Sequence, residues 1–393
     1  MIDNNKGFST LSVHGGEERN NEHFPLTTPI YQTATYTFEN TASLHDFFQG
    51  KTPRVAEYGR YGNPTMAVAQ NKLKALDNAE SCLLFASGMT AICTAILSFC
   101  KHGSHIVITN DSYRRTRQFL LQVLGKFGIE HSFVEPSAQA IEKGIKKNTR
   151  LLISESPTNP YLRVIDLEAV VAICKKNKIK SMIDSTFATP LNQRPLDFGI
   201  DLVVHSVTKY LGGHNDILGG ALLGKAHLID AIKELQSIMG GLLDPNASYL
   251  LIRGLKTFAL RMKQQNESSM KISQFLESHD KVERVWYPGL ESHPDHKIAK
   301  AQMFGFGGVI SFKIKSDLEG TSKFIDRLSI PQIAPSLGGV ESLIEQPALM
   351  SYYDLTKEER QNVGIYNNLV RFAVGIEDTD DLISDLEKSL SQV

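Results

Sequence analysis

No run in this sequence approaches the roughly 18 consecutive apolar residues that would span a bilayer, so a membrane-embedded protein is not expected. Cations are not clustered either. The chain carries 42 Lys and Arg against 43 Asp and Glu, a formal net charge of −1. Without a basic block there is no electrostatic footprint for nucleic acid or an anionic membrane as a partner. Cysteine is scarce: Cys82, Cys93, Cys100 and Cys174 make up the 4 residues of this type. None shows C-x-x-C spacing, and all lie within or beside apolar runs, where a thiol behaves as a small hydrophobe. Reduced thiols and a cytoplasmic location are therefore expected. The segment Met1 to Lys6 has an acidic residue and no apolar core, which argues against a signal or transit peptide.

Other signatures are missing as well. No P-loop, nucleophile elbow or zinc pattern occurs, and no internal repeat or low-complexity segment is visible. Gly305-Phe306-Gly307-Gly308 lacks the G-x-G-x-x-G spacing and precedes an apolar strand pattern, so it reads as a bend and not as a dinucleotide loop. His293-Pro294-Asp295-His296 reads as a first helical turn containing Pro294 after Ser292, not as a metal-binding pair. No metal is expected.

What is present is a chain of 393 residues, 41% hydrophobic and 22% charged, enough for a large core and two or three domains. Residues 1 to about 60 mix Pro, Thr and aromatics without sustained periodicity and read as an arm. Asn63 and Pro64 then give a helix start. Short apolar strand candidates follow at Ser81–Phe85, His105–Thr109, Glu130–Val134, Arg150–Ser154, Lys180–Asp184 and Asp201–His205, alternating with helical patterns such as Leu167–Lys176. That alternation predicts an α/β domain with a mainly parallel sheet covered on both faces, over residues 61–250. Asn246 to about His279 reads as one long helix or two in succession. A smaller α+β domain over residues 251–393 has strands expected at Val282–Tyr287, Gly308–Phe312 and Leu369–Val374, and helices at about Ser322–Leu328 and from Thr379.

The chemistry concentrates at His205-Ser206-Val207-Thr208-Lys209-Tyr210. Lys209 emerges just past an apolar strand, where open α/β sheets place their ligands. Ser206 and Thr208 can aim two hydroxyls at one anion. The combination suggests a Schiff-base site for a phosphorylated aldehyde. Asp184 ends the preceding strand and can hold a pyridinium nitrogen protonated; as an isolated residue it could equally cap a turn. Ala86-Ser87-Gly88-Met89 turns a strand into a helix and offers free amides at a positive dipole end.

These segments, with Tyr58-Gly59-Arg60-Tyr61-Gly62-Asn63-Pro64-Thr65, Glu155-Ser156-Pro157-Thr158-Asn159-Pro160 and Ser336-Leu337-Gly338-Gly339, resemble the Cys/Met-metabolism family of pyridoxal-phosphate enzymes from about Thr28 to near the C-terminus. Tyr113-Arg114-Arg115-Thr116-Arg117 and Gln346-Pro347-Ala348-Leu349-Met350-Ser351-Tyr352 make the plant-type cystathionine γ-synthases the most similar subgroup. The resemblance implies an aspartate aminotransferase-like (type I) transferase fold and pyridoxal 5'-phosphate as cofactor. It implies that Lys209 holds the cofactor, that Asp184 meets its ring nitrogen and that Tyr113 stacks on the ring. Gly88, Met89, Ser206 and Thr208 would hold the phosphate, together with Tyr58 and Arg60 brought by the arm to a neighbouring subunit. Asn159 would bond the cofactor's phenolate oxygen or the substrate carboxylate, Ser336 the lysine or the substrate, and Arg371 would fork the substrate carboxylate. Amino-acid substrates and a homotetramer of two active dimers are implied too. Where the family more often has Tyr-Gly-Gly-Thr, this chain has Tyr113-Arg114-Arg115-Thr116, and Arg115 or its neighbour would meet an anionic leaving group or a second substrate. γ-Replacement and γ-elimination use the same residues.

Overall fold

The computed structural model describes residues 6–17, 23–52 and 55–393. Seven strands build the larger sheet: β1 (Ser81–Phe85), β2 (His105–Thr109), β3 (Glu130–Val134), β4 (Thr149–Glu155), β5 (Lys180–Asp184), β6 (Leu202–His205) and β7 (Gly220–Gly224). Their order is β1-β7-β6-β5-β4-β2-β3. The inner strands β2, β4, β6 and β7 are largely apolar and buried because both faces are covered, whereas the edge strand β3 is half-exposed. Ile106 and Ile108 of β2, Leu151 and Ile153 of β4 and Leu202 and Val204 of β6 pack under helices Gly88–Phe99 and Ala226–Met239. The alternate residues Val107, Leu152 and Val203 pack under helix Leu167–Asn177 on the opposite face. Each fully buried Val, Leu or Ile is worth about 1.5–3 kcal/mol, so slipping one strand by one residue would misplace a whole row.

The expected strands from Ser81 to His205 form with ends displaced by at most one residue. β7 was not expected. It runs antiparallel between β1 and β6, and its Gly219-Gly220 start reads as a turn in the sequence. Gly220 serves close approach here: a Cβ on it would lie 2.3 Å from the Ser87 carbonyl oxygen. The glycine thus lets β7 seat the Ser87-Gly88 turn directly above it.

The smaller sheet contains β8 (Val282–Trp286), β9 (Val309–Ile314), β10 (Gln332–Ile333), β11 (Leu343–Glu345) and β12 (Leu369–Ala373), in the order β10-β11-β12-β9-β8. The sequence did not indicate β10 or β11, which are too short to show a period. The helical stretch after Gly241 is two helices, Pro245–Lys256 and Phe258–Ser278, meeting at Thr257. The first packs on helix Pro64–Leu76 and the second on β8 and β9. Asp244 caps the first by accepting from the amides of Asn246 and Ala247.

Two sequence expectations need correction. The helix near His293 begins only at His296. Pro294 precedes it, and Asp295 turns its carboxylate to Arg163 (2.5 and 3.1 Å) in place of capping. The N-terminal segment is also less bare than its composition suggests, with helices at Phe8–His14 and Thr41–Phe48. The first docks on its own chain: fully buried Lys72 donates to the carbonyls of Ser12, Val13 and Gly15 and pairs with Glu17 at 3.1 Å. An ammonium at a helix C-terminus satisfies carbonyls that the helix cannot.

Candidate active site

The carboxyl ends of β4, β5 and β6 open into a cavity of about 340 Å³ closed on its far side by the β11–β12 half of the smaller sheet. Lys209 reaches it from the turn after β6. Its Nζ lies 2.6 Å from the Ser336 hydroxyl and is paired with no carboxylate among the described residues. Burial, and then the neighbouring Arg371 guanidinium, bring its pKa down to about 8, against the opposing pull of Glu345. Ser336 has a left-handed backbone (φ 99°), and nearby Gly338 (φ +80°) has no room for a side chain, since a Cβ would stand 2.5 Å from the Tyr210 amide nitrogen. The loop of the smaller sheet is thereby pressed against the lysine turn.

Asp184 ends β5 and is half-buried. Its Oδ1 accepts from the Thr186 amide at 3.0 Å and the Thr186 hydroxyl at 2.5 Å. Oδ2 accepts nothing among the described residues and remains free for a ligand. Asp184 therefore does make the local turn that a structural aspartate would make, while leaving one oxygen over. Burial pushes its carboxyl up and the Thr186 bonds hold it down. The Thr186 hydroxyl in turn accepts from the Ser206 amide at 2.8 Å, tying the ends of β5 and β6 together.

The helix Gly88–Phe99 starts beside this link, capped by Ser87, whose hydroxyl accepts from the Thr90 amide at 3.0 Å. The amides of Gly88 and Met89 lie in the first turn of that helix, where no intrahelical acceptor exists for them. Ser206 adds a hydroxyl with no protein partner among the described residues. The Thr208 hydroxyl accepts from the Gly219 amide at 2.9 Å and so also braces the turn.

Arg371, in β12, is buried. Its Nη1 is 3.0 Å from Glu345 Oε1 and 3.4 Å from Asn159 Oδ1, its Nη2 donates to the Ser336 carbonyl at 2.9 Å, and its Nε has no partner among the described residues. A buried N–H without an acceptor is the feature a carboxylate ligand would satisfy. Tyr113 borders the same cavity and is 43% exposed as a whole residue.

Among the lining residues given no role from the sequence are three polar ones, Glu155, Glu345 and Ser351. Glu155 and Glu345 are strand-end acids after apolar runs, the same signal that identified Asp184. Burial pushes both of their carboxyls up.

Three expected residues are not brought to the cavity by this chain alone. Tyr58 and Arg60 border a different groove, and Arg60 donates to the Ser237 carbonyl and lies over the Tyr58 and Tyr61 rings (5.6 and 5.0 Å). Arg115 is exposed and bonds Gln118 at 2.8 Å. Its neighbour Arg114 is not solvated: it donates to the Ser351 carbonyl at 2.6 Å, pairs with Asp354 at 2.5 Å and lies over the Tyr352 ring. Arg114 thus clasps the Ser351–Asp354 loop of the smaller sheet. Arg114→Ala should loosen that loop, and with it Ser351 at the cavity wall. We expect kcat/KM to fall roughly tenfold, about 1.4 kcal/mol, with faster amide exchange at residues 350–355; unchanged exchange there would exclude the clasp.

The model of the Cys/Met metabolism PLP-dependent enzyme family matches residues 9–391. The chain belongs to that family. The tobacco (Nicotiana tabacum) chloroplastic cystathionine gamma-synthase 1 is 48% identical over 388 residues, 98% of this chain and 72% of that protein. An L-methionine gamma-lyase from Fusobacterium nucleatum subsp. polymorphum is 40% identical over 98% of each chain. The crystal structure of metB from Corynebacterium glutamicum superposes with a TM-score of 0.93 at 36% identity, covering 100% of both chains. Family and architecture together give the pyridoxal-phosphate-dependent transferase fold, with pyridoxal 5'-phosphate as cofactor.

The residues present suit that cofactor. They combine an amine of lowered pKa, a carboxylate with one free oxygen, a helix start with free amides and an aromatic face around one cavity. When bound, the cofactor supplies an aldehyde for an amino group and an electron sink for carbanionic charge.

Proposed function

We propose that the protein is a cystathionine γ-synthase, joining L-cysteine to an O-activated homoserine by γ-replacement, a step of transsulfuration towards methionine. The reading is carried by the 48% identity to the tobacco synthase over 98% of this chain, against 40% for the methionine γ-lyase. In this reading Lys209 holds the cofactor and moves protons at the substrate's α and β carbons, and Asp184 keeps the ring nitrogen protonated. Gly88, Met89, Ser206 and Thr208 hold the phosphate, Tyr113 stacks on the ring, and Asn159, Ser336 and Arg371 receive the substrate. γ-Elimination is the second reading, because a lyase needs the same groups and the Fusobacterium relative matches over the same length.

The test is a comparison of the phosphoryl, succinyl and acetyl esters of homoserine, each with and without cysteine. Cystathionine formed in proportion to added cysteine is expected. Cystathionine or methionine broken down to a 2-oxo acid faster than cystathionine is made would favour the lyase. The four unpaired thiols fit a reducing, cytoplasmic setting.

We also propose a homotetramer of two active dimers, in which Tyr58 and Arg60 complete the neighbour's cavity. Their place away from the Lys209 of their own chain supports this reading. Mixed Arg60→Ala and Lys209→Ala chains, each inactive alone, should then recover about a quarter of wild-type activity, because random pairing leaves one intact site in half of the dimers. No recovery after verified subunit exchange would rule out a shared site.

A further inference from the structure

Glu155 is the last residue of β4, 4% exposed, and stands in register opposite Asp184 of β5. Neighbouring strands lie about 4.8 Å apart, so two carboxylates here face the same cavity at close range. A third acid, Asp111, follows β2, the strand on the other side of β4. No cation pairs with Glu155 among the described residues. Its one bond is to the main chain: Oε2 accepts from the Tyr113 amide at 2.7 Å.

That bond matters because of how Tyr113 is held. The residue occupies the capping position before helix Arg114–Gln122, with no side-chain cap of its own. The residue as a whole is 43% exposed and borders the cavity. Packing therefore does little to fix the ring, and its height over the cavity depends on where the backbone is pinned.

We propose that Glu155 is a positioning residue, which through the Tyr113 amide sets the Tyr113 ring over the pyridine of the cofactor. It does so as an uncharged acid. Of the facing pair, Asp184 has two Thr186 donors to stabilise an anion and Glu155 has a single amide. Two adjacent buried anions repel, and with Asp184 the better stabilised of the two the proton rests on Glu155. Burial, then Asp184, then Asp111 push its carboxyl in the same direction. The chain thus leaves the negative charge of the pair with Asp184 and uses the second carboxyl only as an acceptor. The inference rests on the cofactor site and not on the choice between synthase and lyase.

The experiment compares Glu155→Gln, Glu155→Met and wild type as tetramers reconstituted with pyridoxal 5'-phosphate. The amide oxygen of Gln can still accept from Tyr113, while Met fills the space without an acceptor. For Glu155→Gln we expect kcat within about threefold of wild type, unchanged visible circular dichroism, and a visible band whose pH midpoint moves by less than ~0.3 units, since no charge is lost. For Glu155→Met we expect a fall in kcat of roughly tenfold or more at little change in KM. Its visible circular dichroism should be reduced, and amide exchange of the Tyr113 segment in the apoprotein about tenfold faster. The groups facing Glu155 that could also titrate are Asp111, Tyr113, Asp184 and Tyr352, and all are retained in both variants.

A Glu155→Met enzyme with wild-type dichroism, exchange and kcat would overturn the positioning role. A midpoint displaced by more than ~0.5 units in Glu155→Gln would overturn the uncharged state. If Glu155→Met fails to fold, Glu155→Leu, which also lacks an acceptor, takes its place for the positioning role, and the Glu155→Gln midpoint still decides the charge state. A wild-type protein with no visible band on adding the cofactor would instead refute the reading of the site itself.

Discussion

Lys209→Ala is expected to remove turnover almost completely, by at least about 10⁴-fold, while the protein remains folded and still binds pyridoxal 5'-phosphate weakly. Only an amine can join the cofactor aldehyde as a Schiff base, and among the described residues no other lysine lines the cavity. The same amine is the group placed to carry protons at the substrate, so one substitution removes two functions, together worth more than about 5 kcal/mol of barrier. The fold should survive because Lys209 makes a single side-chain bond, to Ser336. Sodium borohydride should fix the cofactor to the wild type and not to the variant. Retention of more than about 1% of kcat would mean that another base does the work.

A pH dependence accompanies this assignment. Only the uncharged amine attacks an aldehyde, and burial and Arg371 bring Lys209 to a pKa of about 8. Capture of the cofactor by the apoprotein should therefore accelerate from pH 7 to 9 and level off above that, whereas an exposed lysine would still be gaining rate towards its ordinary value near 10.4.

Asp184→Asn is the second substitution with a large expected effect. Asn can keep the two Thr186 bonds through its Oδ1, so the turn between β5 and β6 should hold and the melting temperature should move little. What it cannot supply is the negative charge. In place of the free Oδ2 it presents an NH₂ group, which donates where the protonated ring nitrogen also donates. The ring is then held neutral and accepts electrons poorly, and we expect kcat to fall by a factor of about 10² to 10⁴, roughly 3–5 kcal/mol. The cofactor should still bind through its phosphate and Lys209. A variant with normal kcat would show that Asp184 serves only as a turn residue.

The sequence and the folded chain divide these findings unevenly. Most of β1 to β6 are legible because a mainly parallel sheet buried on both faces forces apolar runs, and Asp184 and Lys209 are legible because one ends such a run and the other stands in the turn just past one. β7 escapes because its glycines, selected for contact with Ser87, look like turn residues. β10 and β11 escape because two or three residues contain no period. Arg371 in isolation reads as an outward strand charge; the structure buries it against Glu345, a partner 26 residues away.

The sequence by itself determined the family, the cofactor chemistry and the sheet that carries it, since these depend on residue type at local spacing. The tertiary structure alone decided which charges face one another. Asp184 keeps one oxygen free while Glu155 accepts from the Tyr113 amide, Arg114 clasps a loop and does not wait for an anion, and Tyr58 and Arg60 stand apart from their own Lys209. Those outcomes depend on distances between strand ends and between the two sheets, and such distances are set by packing between segments far apart along the chain.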